Sequence, residues 1–202
     1  MEQVANVIGF WCEIMGPDRW FGADVALDEE MQRRFAQLWR KARVGTLDEW
    51  RDTPQSALAL IVLLDQMPRH MFRGTVDAWV ADAQALEVAR HAVVQGYDLE
   101  MTGALRQFFY FPFIHAEDPD AQSYGVALFE TRMPEGAVLD ARLRQAVIAQ
   151  FGRFPWRNEI VGRRSTEAEA RFLWNGGLDL LRRSEEITDR PLQEAILLGD
   201  RL

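Results

Sequence analysis

Three short stretches of this 202-residue chain carry side chains able to do chemistry. In LLDQMPRHMFRGT, Leu63 to Thr75, Asp65 and Arg69 stand four residues apart, Gln66 and His70 likewise, and Arg73 lies one turn beyond Arg69. These guanidinium groups have two readings. Pro68 donates no backbone hydrogen bond and clashes with a continuing helix, so orphan carbonyls lie nearby for Arg69 or Arg73 to satisfy. Alternatively, braced by Asp65, they face an anionic ligand.

In FPFIHAEDPDAQ, His115, Asp118 and Gln122 follow at spacings of three and four, which on a helical path is one face, with Glu117 pointing elsewhere. A carboxylate three residues from a histidine can orient the ring and raise its basicity, as general acid or base work requires. The bland alternative is a satisfied interior histidine. The chain has three histidines, with no His-x-x-x-His or Cys-x-x-Cys spacing, so no metal and no cofactor is expected. His91, placed in the last turn of a helix, answers the helix dipole.

The third stretch, FGRFPWRNEIVGRRSTEAE from Phe151 to Glu169, gathers Arg153, Arg157, Arg163 and Arg164 in a chain of net charge −8. Gly152 stops a helix, Phe154-Pro155 forces an extended path, and Ser165 and Thr166 stand where another helix starts. A helix start offers backbone amides to an anion, so Arg153, Arg157 and Asn158 beside it form a carboxylate or phosphate site; equally, the arginines brace acidic helices such as those carrying Asp65 or Asp118.

The elements that position these stretches read as helices. Met31, Phe35, Leu38 and Ala42 recur at helical spacing behind Asp28, with Gly45 as a stop. Thr53 and Pro54 start a second helix whose run Ala57 to Leu64 is apolar on every face and which Pro68 ends. Ala78 to Gln95 follows, then a phenylalanine-rich segment, Leu105 to Ile114. Beyond it come Ala121 to Thr131, Ala137 to Gln150, a short helix boxed by Thr166 and Glu169, and a marginal tail helix, Leu192 to Leu198. No hairpin signal appears. The expected fold is all-α, a single domain spanning 1–202 with about eight to ten short helices packed as antiparallel hairpins.

Composition narrows the function. The longest apolar run, Ala57 to Leu64, is far short of the roughly 20 residues a membrane span needs, and the opening segment has no basic leader. The acidic balance argues against nucleic acid. Cys12 is the only cysteine, read as a small buried residue in a reducing, cytoplasmic protein. Of the 23 basic residues only Lys41 is lysine, a bias that a GC-rich genome would also produce.

The motifs GFW (Gly9–Trp11), RWF (Arg19–Phe21), LALIVLLDQ (Leu58–Gln66), PRHMFRGT (Pro68–Thr75), HAED (His115–Asp118), FGRFP (Phe151–Pro155), then RN and GRRST, resemble the signature of domain-of-unknown-function family 924. The resemblance runs over about residues 4–175, leaving 176–202 as a C-terminal extension, and implies a tetratricopeptide-like helical fold with no established reaction. The chain departs from the pattern where His70 replaces asparagine and where Trp156 and Arg144 replace histidines.

Two functions are therefore expected. One is a ligand- or protein-binding module. The other is an enzyme or small-molecule-binding protein in which Arg69, Arg73, Glu117, Arg153, Arg157 and Asn158 surround an anionic group while His115, Asp118 or Asp65 handles a proton. The partner is an anionic small molecule or a protein; oligomeric state is not legible.

Overall fold

The computed structural model describes residues 2–179, 181 and 182. It is all-α, with no strand among the described residues. The chain divides into two compact units, Met1–Pro112 and Phe113–Leu202.

In the first unit, α1 (Glu2–Gly9) runs into a π-helical turn, Phe10–Met15, closed by Gly16 N donating to Trp11 O at 3.1 Å. Gly16 has φ of 65°, a conformation open to glycine at little cost. α2 (Val25–Arg43) is capped by Asp24, whose Oδ1 accepts from Ala26 N and Leu27 N at 3.1 Å. The helix thus starts a turn before Asp28, and Asp28 lies inside it with its carboxylate available for other partners. Met31, Phe35 and Ala42 lie on its buried face as their spacing predicts, but Leu38 is only half-buried, and Ala36 and Trp39 complete that face.

A 3-10 turn, Asp48–Asp52, leads to α3 (Pro54–Ile61), with Thr53 as N-cap and Pro54 at the first position. Every residue from Ala57 to Gln66 is buried. The apolar helix does not stop at Pro68. Val62–Gln66 forms a second π-helical turn, in which Met67 N donates to Val62 O, and α4 (Met67–Met71) continues beyond it. The wider turn gives the proline ring the room that a regular helix would deny it at the carbonyl four residues back. α5 (Asp82–Val94) is shorter than the alanine pattern suggests, because a 3-10 turn at Val76–Ala78 takes Ala78 and a further turn takes Trp79 to Ala81. α6 (Tyr97–Glu100) and a 3-10 segment, Gly103–Phe109, complete the unit, whose boundary falls within α7 (Phe111–His115). α1 and α5 both pack on α3, and α2 packs on α4.

The core of this unit is aromatic. Trp11 and Trp20 stack with centroids 6.2 Å apart, and Phe108 meets both edge-on at 5.4 and 4.8 Å. All three are buried, each stabilising the fold by roughly 2–3 kcal/mol relative to exposure. Phe10 and Trp11 of the GFW motif and Trp20 of the RWF motif are thus core, while Phe21 is exposed.

In the second unit, α8 (Pro119–Arg132) and α9 (Val138–Phe151) form an antiparallel hairpin. The direction follows from two bonds taken in opposite order along the helices, Gln145 to Ser123 at 3.2 Å and Arg142 to Glu130 at 2.6 Å. Gly152, left-handed at φ 69°, ends α9. A 3-10 turn, Pro155–Arg157, then leads to α10 (Glu167–Trp174), which starts with both halves of the Thr166–Glu169 capping box. Leu143, Val147, Ile148, Phe154, Phe172 and Leu181 form the apolar cluster there. The expected tail helix, Leu192 to Leu198, lies outside the described residues.

Candidate functional site

Asp65, Arg69 and Arg73 belong to the first unit. The π-helical turn buries Asp65 completely and places it against Gln66 Nε2. Arg69 Nη1 lies 3.3 Å from Asp65 Oδ1 and also donates to the Asp65 carbonyl, while its Nη2 donates to Asp82 Oδ1 at 3.0 Å. Burial alone would lower the proton affinity of Arg69, but Asp65 and Asp82 outweigh it and raise the guanidinium above its ordinary value. Arg69 therefore joins the α3 to α4 junction to α5 and answers a carbonyl near the distorted turn.

Arg73 faces a different carboxylate. Its Nε and Nη2 both donate to Asp28 Oδ2 at 3.1 Å, and Nη2 reaches Gly22 O at 3.3 Å. His70 stands beside it, buried, with Nδ1 2.9 Å from Asp28 Oδ1 and Nε2 3.0 Å from Trp20 O. His70 and Arg73 thereby tie α4 to α2 and to the loop between α1 and α2. In the sequence Asp28 reads only as a helix start and Asp82 carries no signal, because each lies far along the chain from the arginine it meets.

His115, Glu117, Asp118, Arg153, Arg157 and Asn158 belong to the second unit. Asp118 is the N-cap of α8, its Oδ1 accepting from Asp120 N at 2.9 Å and Ala121 N at 3.4 Å. His115 is buried. Its carbonyl accepts from Arg157 Nη2 at 3.0 Å, and its ring is a charge neighbour of Asp140. Burial raises the Asp140 carboxyl, but Arg144, then His115 and Arg182, bring it below its ordinary value.

Glu117 is the hub of this set. Its Oε1 accepts from Phe154 N at 2.8 Å, and Arg163 grips both oxygens, Nη1 to Oε2 at 2.5 Å and Nη2 to Oε1 at 2.8 Å. Burial pushes Glu117 up, and these donors with the nearby Arg157 charge hold it below the usual range. Arg153 grips Glu169 the same way, Nε to Oε1 at 2.6 Å and Nη2 to Oε2 at 2.8 Å, and also reaches Arg164 O at 3.0 Å. Glu169 in turn closes the capping box on Thr166 N at 2.7 Å. Arg157, buried, lies 4.8 Å over the Phe154 ring, and Asn158 Nδ2 donates to Ser165 Oγ at 3.1 Å. Fork-on-fork pairs of this kind fix orientation as well as charge. Arg163 and Glu169 were visible in the sequence as a cluster member and a cap, but not as partners.

An open groove of the first unit holds none of these residues. Its volume is about 790 Å³ and it is lined from three separate stretches of chain. Val4, Ile8 and Cys12 come from α1 and the following turn, Trp50 from the 3-10 turn Asp48–Asp52, Leu58 from α3, and Met101 and Leu105 from the stretch before Phe108. The charged residues on the lining are Glu13 and Glu49, both exposed. Cys12 is therefore half-buried on a groove wall, not enclosed as its residue type suggests, and burial with the neighbouring Glu13 pushes its thiol up, away from the reactive thiolate. The groove left no mark in the sequence because its lining mixes ordinary apolar residues with a few polar ones, Thr53, Gln55 and Ser56 among them, in no recognisable pattern. Among the described residues, no group of three or more His, Cys, Asp or Glu side chains is placed to hold a metal ion. Nor is any helix among them long and apolar enough to cross a membrane.

These features define an all-α protein whose charged motifs are cross-linked within each unit and whose first unit carries an open apolar groove. The chain belongs to the bacterial protein family of unknown function DUF924, whose model matches residues 7–177. It is similar to a solved structure, that of a protein of unknown function from Agrobacterium tumefaciens, with 38% identity and a TM-score of 0.82 over 87% of this chain and 98% of that one. Comparison with curated proteins finds no match.

Proposed function

We propose that the protein is a binding module whose ligand surface is the apolar groove of the first unit, and that the charged family motifs are braces. The observation that carries this reading is the contrast between the two kinds of feature. Arg69, Arg73, Arg153 and Arg163 each meet a carboxylate of the same unit. The groove instead leaves Val4, Ile8, Met101 and Leu105 partly exposed along one opening. Its volume lies in the range of about 300–1,000 Å³ typical of ligand sites. The occupant proposed is an apolar segment of a partner protein, in keeping with the tetratricopeptide-like fold that the motifs imply. The alternative, an anion pocket with Arg153, Arg157 and Asn158 as ligands and His115 moving a proton, is less well supported because the Arg153 guanidinium is held by Glu169 and that of Arg157 by a backbone carbonyl.

Gly9 offers the test. It lines the groove in helical conformation, and a Cβ built there meets nothing within 4 Å. A tryptophan at this position is expected to enter the groove, since its first side-chain carbon meets no neighbour. A displayed library of random peptides should yield binders to the wild type that Gly9→Trp, folded by circular dichroism, no longer holds. If every binder recovered holds Gly9→Trp equally, or none is recovered, the groove is not the site.

A further inference from the structure

We infer that the groove's occupant is an amphipathic helix of a partner protein whose apolar stripe is flanked by lysine or arginine. This rests on the groove being the ligand surface. Val4, Ile8 and Cys12 recur every four residues, so one wall is a continuous stripe along α1 and the turn that follows it. At about 1.5 Å per residue the stripe is about 12 Å long, two turns of a helix laid alongside. An apolar face presented at i, i+4 and i+7 is the matching ligand. Met101, half-buried on the lining, adapts its unbranched side chain to stripes of differing shape.

The charge of the flanks follows from the rim. Glu13 and Glu49 are the charged residues of the lining, and no lysine or arginine lines it. Glu49 sits in the turn Asp48–Asp52, where Asp48, Glu49 and Asp52 outnumber Arg51, itself 3.9 Å from Asp48. The rim is therefore negative from two sides. A basic flank gains attraction there that a neutral one lacks, and an acidic flank meets repulsion on approach, which sets partner choice and association rate more than total affinity.

The test is a selection from helical peptides with both stripe and flanks randomised, using the whole protein. Clones retained by the wild type and lost with Gly9→Trp should show apolar residues at helical spacing and an excess of lysine and arginine at the flanks. For such a clone, the double variant Glu13→Lys, Glu49→Lys should weaken binding about tenfold, and exchanging the clone's basic residues for glutamate should restore it. Groove-dependent clones with neutral or acidic flanks, or binding that ignores the charge reversal, would overturn the basic partner while leaving the groove standing. Extended, non-helical clones would overturn the helix. Absence of any clone sensitive to Gly9→Trp would overturn the groove itself, and this inference with it.

Discussion

Arg163 holds both carboxylate oxygens of Glu117 across 46 residues of sequence, at 2.5 and 2.8 Å. Glu117 at the same time accepts from the backbone of Phe154, so one carboxylate fixes the segment after α7 to the extended piece after α9. Each side chain is about a quarter exposed, which moderates the effect of the pair without abolishing it. Glu117→Ala removes an acceptor of three hydrogen bonds and should cost about 2–3 kcal/mol in urea unfolding. Arg163→Ala should cost less, and the double variant less than the sum, with a coupling of about 1–2 kcal/mol. Additive losses would mean that the two residues act independently.

Acid should release the second latch of that unit. The Arg153 guanidinium, with Thr166 N and Asn158, holds the Glu169 carboxyl at about 2 against an ordinary 4.5, although burial opposes the shift. Because the folded state takes up this proton later than the unfolded state as pH falls, the stabilisation is complete above about 4.5 and is lost on descent towards about 2. Glu169→Gln should therefore be less stable than wild type at neutral pH and show a shallower fall in thermal midpoint between pH 4.5 and 2. Parallel profiles for the two proteins would assign the acid limb to other carboxylates.

Two glycines should respond to the same substitution with opposite sign. A Cβ on Gly125, within α8, would lie 2.7 Å from Ile114 Cγ2 and 2.9 Å from Phe113 Cβ. Gly125→Ala therefore overpacks the contact between α7 and α8 and should cost about 1–3 kcal/mol. Gly9 is helical with open space beyond its Cα, so Gly9→Ala should stabilise by about 0.5–1 kcal/mol through lower chain entropy in the unfolded state. Thermal unfolding of the two variants checks both signs.

What the sequence could and could not tell follows from the range of the forces involved. Helices were legible wherever the determinant is local. Thr53-Pro54 caps α3, Gly96 and Gly152 adopt left-handed turns, and Thr166 with Glu169 boxes α10. Where a start depended on competition between two aspartates, Asp24 took the cap and left Asp28 to receive His70 and Arg73. The candidate site residues were recognisable by type, but their partners were not, because spacing along one helix cannot show that Arg163 meets Glu117 or that Arg69 meets Asp82. The groove was invisible for a related reason: only tertiary packing decides which apolar residues of α1 remain partly uncovered.

The π-helical turn at Val62–Gln66 also sets a phase. It carries one residue more than the α-helical turn it replaces, and one residue corresponds to about 100° of rotation about the axis. The wholly apolar residues before it and the polar residues Arg69, His70 and Arg73 after it therefore face directions that no uninterrupted helix could give them. A single deletion in this turn would leave composition and helicity almost unchanged while swinging α4 off the bearing at which Arg69 finds Asp82 and His70 finds Asp28. In this segment the count of residues is as much a determinant as their identity.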